Sequence, residues 1–461
     1  MTDRVIQLPQ KVQRIIHRLQ THGYEAYAVG GCVRDGLLGR EPHDWDITTS
    51  ALPEQVKQVF AHTIDTGIEH GTVTVRMDHE SFEVTTYRVD GAYDDARHPN
   101  EVRFTPSLAE DQLRRDFTIN SMAYNDEQGL MDPYGGYEDL HAGVIRCVGV
   151  PMDRFGEDAL RIMRAVRFAA QLDFTIDEET REAARTLAPN LRRISAERVR
   201  EELMKLITSP HPQRLREAWE LGITAVVLPE FDAMMQQSQT GPHHDDTVGE
   251  HTLKAMQAIR PEPALRLTML LHDCAKPQTA VKEASSSEAA IWAFPGHAEA
   301  GEILAGQIMR RLKFDRRTMD LVRVLIRHHS WDIEKDMSLL HEDREILIRR
   351  KASAIGKEIF PLLLEVKRAD LLSQKEDEEQ RRRLSVLDQT EQTFRQILER
   401  GDCLSLKELA VTGSDLIGLG AKPGRGIGQI LERLLSEVLE DPSRNRRGTL
   451  LQEAAGLLHG D

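Results

Sequence analysis

Cysteine is scarce in this chain: four in 461 residues, Cys32, Cys147, Cys274 and Cys403, none at the close pairing of a zinc ribbon. Isolated thiols exclude a disulfide framework and predict reduced cysteines in a cytoplasmic protein. Long apolar runs are missing as well. The opening MTDRVIQLPQKVQRIIHRLQ has no apolar core of signal-peptide length, and no later stretch approaches a membrane span, so neither export nor insertion is expected. Basic charge is in deficit, with 60 Lys and Arg against 75 Asp and Glu and a formal charge of −15. That excludes a protein coating nucleic acid over its whole surface, but leaves room for a local Lys/Arg array that grips it. Aromatics are few, at 5%, while charged residues reach 29%, a balance that predicts many solvated helices.

What is present is enough apolar residue, 40%, for ordinary packing, over a length that suggests about three domains. Residues 1–150 read as mixed α/β. Strand-forming runs occur at 25–29, 45–49, 72–77 and 81–89, with helical periodicity in LPEQVKQVF. The segment 89–104 is polar and rich in turn formers, as expected of a mobile loop. From about residue 151 the pattern is almost wholly helical. Turn formers and His gather at 238–251, Ser and Ala at 284–290, and a charged run at 374–383 reads as a solvated helix. No internal repeat is present.

The densest constellation is AVGGCVRDGLLGREPHDWDITT. Gly30 and Gly31 follow a strand and precede a helix, where glycine lets backbone N–H groups approach a triphosphate, and Arg34 lies one turn inside. On a strand, Asp44 and Asp46 project from one face. Carboxylates that close repel unless cations lie between them. Two Mg²⁺ ions would neutralise them, activate an attacking 3′-hydroxyl and stabilise leaving pyrophosphate. Alternation in SFEVTTYR puts Glu83, Thr85 and Tyr87 on one face, with Glu83 either a third carboxylate beside the metals or an exposed strand residue.

In order, Gly-Gly-x-x-Arg, Asp-x-Asp, RRDFTINSMAYN and GEDALRIMRAVRF resemble class II tRNA nucleotidyltransferases, the family of CCA-adding enzymes and bacterial poly(A) polymerases. The resemblance runs from about residue 24 to 230 and returns from about 405 to 455. It implies an α+β protein with a DNA-polymerase-β-like palm, followed by a mostly helical neck, body and tail. It also implies that Gly31, Arg34 and Arg115 contact nucleotide, that Asp44 and Asp46 bind Mg²⁺, and that Asp116 and Asn120 face the ribose. In the family, a flexible loop between the catalytic strand and the RRD motif is needed for the switch to A, and the segment YRVDGAYDDARHPNEVRF (87–104) looks full length.

Base choice can be read from the residues themselves. On one helix, Glu157, Asp158, Arg161, Arg164 and Arg167 would share one half, while Ala159, Ile162, Met163 and Val166 pack on the other. Cytosine and adenine both present an exocyclic amino donor beside a ring-nitrogen acceptor. An Asp can accept from the first and an Arg donate to the second; uracil and guanine reverse the pattern, leaving unpaired groups that cost about 1–3 kcal/mol each. The resemblance gives this role to Asp158 and Arg161, with Arg164 and Arg167 also lining the nucleotide site.

A second constellation comprises GEHTLKAM, LLHDCAKP, FPGHAEAG, IRHHSWD and KRADLLSQ. His251, His272, Asp273 and Asp370 match the pattern of HD-family metal phosphohydrolases over about residues 245–372. The additional His297, His328 and His329, with Lys276, resemble the ligand set of two-metal members. The alternative is a retained scaffold that shapes the body for tRNA. In the tail, KPGRGIG puts Arg425 where a phosphate can be cradled, though a helix-connecting turn is the better account of it.

The expected domains are a nucleotidyltransferase head at 1–150, a neck with the nucleotide-selecting helix at 151–235, an HD domain at 236–385 and a tRNA-binding tail at 386–461. The expected activity is addition of CMP and AMP, from CTP and ATP, to the tRNA 3′ end with Mg²⁺. The HD site would hold Mn²⁺, Ni²⁺, Fe²⁺ or a similar ion, or Mg²⁺, on the ligand set His251, His272, Asp273, His297, His328 and Asp370. The alternatives are an A-adding enzyme or poly(A) polymerase and, from another class, a metal phosphohydrolase in which the HD site is the main activity.

Overall fold

The computed structural model describes residues 5–90, 102–239, 246–283, 291–340 and 343–459. The centre of the expected 89–104 loop, residues 240–245 of the His-rich turn at 238–251 and the Ser/Ala stretch at 284–290 lie outside the described residues. The chain divides into two compact units, Met1–Pro229 and Glu230–Asp461.

In the first unit, strands β1 (Ala26–Val29), β2 (Ile47–Thr49), β3 (Thr63–Gly67), β4 (Thr72–Met77) and β5 (Glu80–Thr86) are followed by β6 (Arg88–Asp90), β7 (Val102–Phe104), β8 (Ala123–Asn125) and β9 (Gly129–Met131). Seven of them form one sheet in the order β3-β4-β5-β2-β1-β8-β9, with β6 and β7 paired separately. The contact between β2 and β5 is parallel, with Ile47 opposite Val84. Its neighbours are antiparallel, which lets short turns connect the rest. The helix Gln10–Thr21 buries Val12, Ile15, Ile16 and Leu19, an i, i+3, i+4, i+7 stripe that follows from its sequence. Tyr27, Val29, Tyr87, Leu108 and Ala123 form a core cluster. Tyr87 thereby departs from the face expected for it. Phe82, Val84 and Thr86 turn inward while Glu83 stays exposed, and the chain leaves β5 after Thr86, so Tyr87 enters the core.

The rest of this unit is helical. The expected boundary at 150/151 is bridged by two short parallel strands, Val144–Ile145 and Thr175–Ile176. One predicted element is broken. Residues 157–167 are not one helix: Pro151–Glu157 ends, Asp158 adopts an extended backbone, and a second helix runs Leu160–Leu172. Gly156 weakens the end of the first helix, and the Asp158 side chain accepts from the Leu160 N–H at the start of the second.

The second unit is helical almost throughout. Helices Val248–Ala258, Pro263–Leu271, His297–Arg311, Arg316–His328 and Phe360–Leu372 pack around buried residues such as Leu253, Met256, Leu267, Leu325 and Leu363. Glu378–Arg400 is a single helix that runs through the expected boundary at 385/386. Helices Arg425–Glu440 and Arg447–His459 follow, with Arg425 exposed at the start of the former. No helix among the described residues is long and apolar enough to cross a membrane.

Candidate active sites

Strand β1 ends on Val29, and the chain turns at Gly30 with φ +86°. A side chain there would be strained and would meet the Arg115 guanidinium at 3.4 Å. The turn opens into the helix Gly31–Leu37, which carries Arg34. Asp44 and Asp46 lie just before β2 rather than within it; the Asp46 carbonyl accepts from the Val29 N–H at 3.0 Å, so the pair is still registered against the Gly-Gly turn.

These groups line one cleft of about 680 Å³. Asp44 and Asp46 occupy it together with Gly30, Gly31, Arg34, Arg115, Asp116, Asn120, Asp158, Arg161, Arg164 and Arg167, so the structure gathers every predicted nucleotide-contact residue. Glu83 faces an adjoining recess that it shares with Asp46 and Arg115. Although Asp46 is open to the cleft, loss of solvation raises its carboxyl. Glu83 and Asp44 add to that rise, and Arg115 opposes it. Acids crowded in this way fit a divalent cation.

A hydrogen-bonded chain joins other residues of the lining. Arg34 donates to Asn120 Oδ1 at 2.7 Å, Asn120 Nδ2 to Asp116 Oδ1 at 3.3 Å, and Arg164 Nε to Asp116 Oδ2 at 2.8 Å. Burial alone would raise the Asp116 carboxyl, but the Arg164 guanidinium overrides it and brings the group to about 2. Phe168 is the hub of this group, with the guanidinium carbons of Arg34, Arg164 and Arg167 at 5.2, 5.3 and 3.7 Å from its ring centroid.

The base-selecting pair differs from expectation. Because the helix breaks, Asp158 and Arg161 do not pair as helical neighbours. Arg161 donates to Glu157 Oε2 at 2.7 Å and to the carbonyls of Arg154 and Arg114 at 3.1 and 2.9 Å. Asp158 is held instead by Arg198, 2.6 Å from Nη2 to Oδ2. Arg167 is almost buried and is tied to Glu202 at 2.5 Å and Gln171 at 2.7 Å. Sequence reasoning missed Arg114, Phe168, Arg198 and Lys205 in the cleft, and Glu202 behind it. Arg198, Glu202 and Lys205 follow one face of the helix Ala196–Ile207 at four- and three-residue spacing, the signal that could have found them.

A second cluster occupies the helical unit. His251, His272 and Asp273 form one group able to hold a metal ion, and Asp273, His297 and His329 a second. Nδ1 of His272, His297 and His329 lies 2.7, 2.9 and 2.6 Å from the carbonyls of Met269, Phe294 and Ile326. Carbonyls only accept, so these nitrogens carry the protons and each Nε2 lone pair faces the cluster. The Ser373 hydroxyl donates to the Asp370 carbonyl and leaves its oxygen to accept from His251 Nδ1 at 2.9 Å, with the same result. The Nε2 atoms of His251 and His272 stand 3.3 Å apart, and those of His297 and His329 3.2 Å apart. Lone pairs at that separation repel unless a proton or a cation lies between them.

Asp273 serves both groups. Oδ2 lies 3.6 and 3.2 Å from Nε2 of His251 and His272, and Oδ1 lies 3.7 and 3.6 Å from those of His297 and His329. Both oxygens are buried and neither accepts a directed hydrogen bond, although Lys276 Nζ is 2.7 Å from Oδ2. A buried carboxylate set among four inward-facing imidazole nitrogens fits a cation. Asp370 Oδ1 adds a contact to His251 Nε2 at 2.9 Å. Burial would lower His272, but Asp273 and Asp370 outweigh it and raise the imidazole to about 10, so a proton takes the inward Nε2 lone pair whenever no cation does. Those carboxylates are themselves held well below their usual range against the opposing effect of burial.

His328 is not part of this cluster. Its Nδ1 sits 3.4 Å from Lys351 Nζ, and the neighbouring His329 takes the inward place. The reason is helical phase: His329 lies four residues after Leu325 and three after Ile326, both buried, whereas His328 is turned about 100° away.

Three family descriptions match parts of the chain. Residues 26–146 match the poly A polymerase head domain, 173–235 the probable RNA and SrmB-binding site of polymerase A, and 283–454 the putative tRNA nucleotidyltransferase domain 2. The chain is 46% identical over 235 residues to the CCA-adding enzyme of Lactobacillus helveticus, covering 50% of this chain and 58% of that one. It is 48% identical over 213 residues to the CCA-adding enzyme of Limosilactobacillus reuteri, covering 45% and 53%. The matches thus span little more than half the length of these curated relatives. Among solved structures, the Bacillus stearothermophilus CCA-adding enzyme in complex with CTP superposes with a TM-score of 0.70 at 27% identity, over 98% of each chain. The Thermotoga maritima CCA-adding enzyme complexed with tRNA shares the fold, with a TM-score of 0.56 at 20% identity over 98% and 96% of the two chains.

Proposed function

We propose that this chain belongs to the poly(A) polymerase and tRNA nucleotidyltransferase family and adds CMP and AMP, from CTP and ATP, to the 3′ end of tRNA. The observation that carries the reading is one cleft with Asp44 and Asp46 on one wall and Arg34, Arg115, Arg161 and Arg164 around it. The relatives solved with CTP and with tRNA support the same substrates.

The residues then divide the work. Arg34, Arg115 and the backbone of the Gly30–Gly31 turn receive the triphosphate. Asn120 and Asp116 are placed for the ribose. Asp158 accepts from the amino group of cytosine or adenine, and Arg161 donates to the ring nitrogen. Mg²⁺ held by Asp44 and Asp46, with Glu83 beside them, would supply charge neutralisation and a more acidic 3′-hydroxyl. A bond forms between the tRNA 3′-oxygen and the α-phosphorus, the bond to the β-phosphate oxygen breaks, and pyrophosphate leaves. The protein contributes mainly positioning and electrostatics.

The test is incorporation into tRNAs ending before CCA, after C and after CC, with CTP, ATP or both. Synthesis of CCA from the bare end is the expected result. Addition of A alone to the CC end would identify an A-adding enzyme, and long A tracts a poly(A) polymerase.

A second reading rests on the histidine cluster. We propose that the HD site is a metal-dependent phosphohydrolase acting on RNA-end phosphates. Its nitrogen-rich donor set, His251, His272, His297 and His329 with Asp273 and Asp370, favours a transition metal such as Mn²⁺, Ni²⁺ or Fe²⁺ over Mg²⁺. Release of phosphate from 2′-phosphates, or ring opening of 2′,3′-cyclic phosphates, that depends on added metal and on His272 would support it. If that were the only activity found, the hydrolase would be the main function.

A further inference from the structure

The Asp158 carboxylate, which faces the cleft, is held by a residue outside its own segment. Arg198 Nη2 lies 2.6 Å from Asp158 Oδ2, and Nη1 donates to Oδ1 at 3.4 Å. The Leu160 N–H donates to the same Oδ1 at 3.0 Å. Asp158 sits between two helices with φ −138° and ψ 104°, so helical packing does not fix its side chain. Arg161, three residues on, is engaged with Glu157 and two backbone carbonyls. Arg198 stands on a firm base: one turn on, the buried Glu202 pairs with Arg167 at 2.5 Å and lies 3.9 Å from Arg164.

We propose that Arg198 is a positioning residue for base selection, clamping the Asp158 carboxylate so that its remaining lone pairs meet the incoming base. The inference rests on the nucleotidyl-transfer reading and adds to it the residue that enforces the choice. An ionised carboxylate only accepts hydrogen bonds. With Arg198 and the Leu160 N–H occupying one side, the other side can accept the exocyclic amino group of cytosine or adenine. Uracil and guanine present a carbonyl there, acceptor against acceptor. A carboxylate free to swing away removes that conflict, so loss of Arg198 weakens rejection of the wrong base as well as binding of the right one.

The experiment is single-turnover incorporation onto tRNA lacking CCA, with CTP or UTP, by the full chain and by R198M, R198K, D158A and the R198M/D158A double variant. R198M is expected to lower the CTP-over-UTP ratio by about tenfold or more, the scale of one mispaired buried group. R198K should recover part of it, since it restores a cation without the two-pronged geometry. In the D158A background, adding R198M should change the ratio by less than about twofold, because a residue acting through Asp158 has nothing left to position. Equal losses for CTP and UTP in both Arg198 variants would overturn the proposal, as would an R198M effect that persists undiminished without Asp158. Failure of the unaltered chain to incorporate CTP would overturn the underlying reading itself, a separable outcome.

Discussion

The cleft of the first unit and the cluster of the second both gather carboxylates, but they are built in opposite ways. In the cleft, Asp44 and Asp46 are exposed, the cavity is wide, and arginines rather than histidines surround the acids. In the cluster, His251, His272 and Asp273 are buried, each imidazole has its outer nitrogen tied down, and the inner lone pairs crowd together. The first arrangement suits a large, charged ligand that arrives and leaves with its metal. The second suits small cations held between pre-aimed nitrogens. The two chemistries should therefore be separable.

The largest effect expected comes from the cleft. Asp44→Ala or Asp46→Ala should lower nucleotide incorporation by on the order of 10³-fold or more, and leave metal bound by the histidine cluster unchanged. Incorporation assays alongside elemental analysis would show this; loss of cluster metal would blur the contrast. The reciprocal change, His272→Ala, should abolish stoichiometric transition-metal binding and any phosphate release, with incorporation within about twofold of the unaltered chain.

A smaller effect sharpens the electrostatic side. Asp116 has a depressed carboxyl, at about 2 against 3.8. Its pairing with Arg164 therefore contributes stability that is fully present above the unfolded value and lost as pH falls through about 2. Of order 2 kcal/mol is involved. Asp116→Asn should lower the denaturant midpoint at neutral pH and flatten the stability loss between about pH 4 and 2; an unchanged acid limb would count against the pairing. The smallest effect separates two adjacent histidines: His329→Ala should reduce cluster metal, while His328→Ala should leave it intact.

That last pair shows what the sequence carried and what it did not. The strand, Gly-Gly turn, helix and Asp-x-Asp succession is local, so the carboxylate pair was readable directly, while the palm around it came from the family resemblance. The choice between His328 and His329 was also readable, from the phase of Leu325 and Ile326, but only once that stripe is known to face inward. The break at Asp158 was masked by the good helix formers on either side of it, with Gly156 as the one clear weakening signal. The partnerships of Asp158 with Arg198 and of Arg167 with Glu202 join residues about 35 to 40 positions apart, and no local pattern shows which charges meet across packed helices. The cut expected at 385/386 falls inside the helix Glu378–Arg400, whose first turns belong to the charged run that already read as a solvated helix.

The most direct test of the central claim is diffraction from crystals grown with CTP and Mn²⁺. The account predicts anomalous peaks at Asp44 and Asp46, the triphosphate against Arg34 and Arg115, and the cytosine amino group on the Asp158 carboxylate. A triphosphate bound elsewhere, or Mn²⁺ absent from that carboxylate pair, would contradict it.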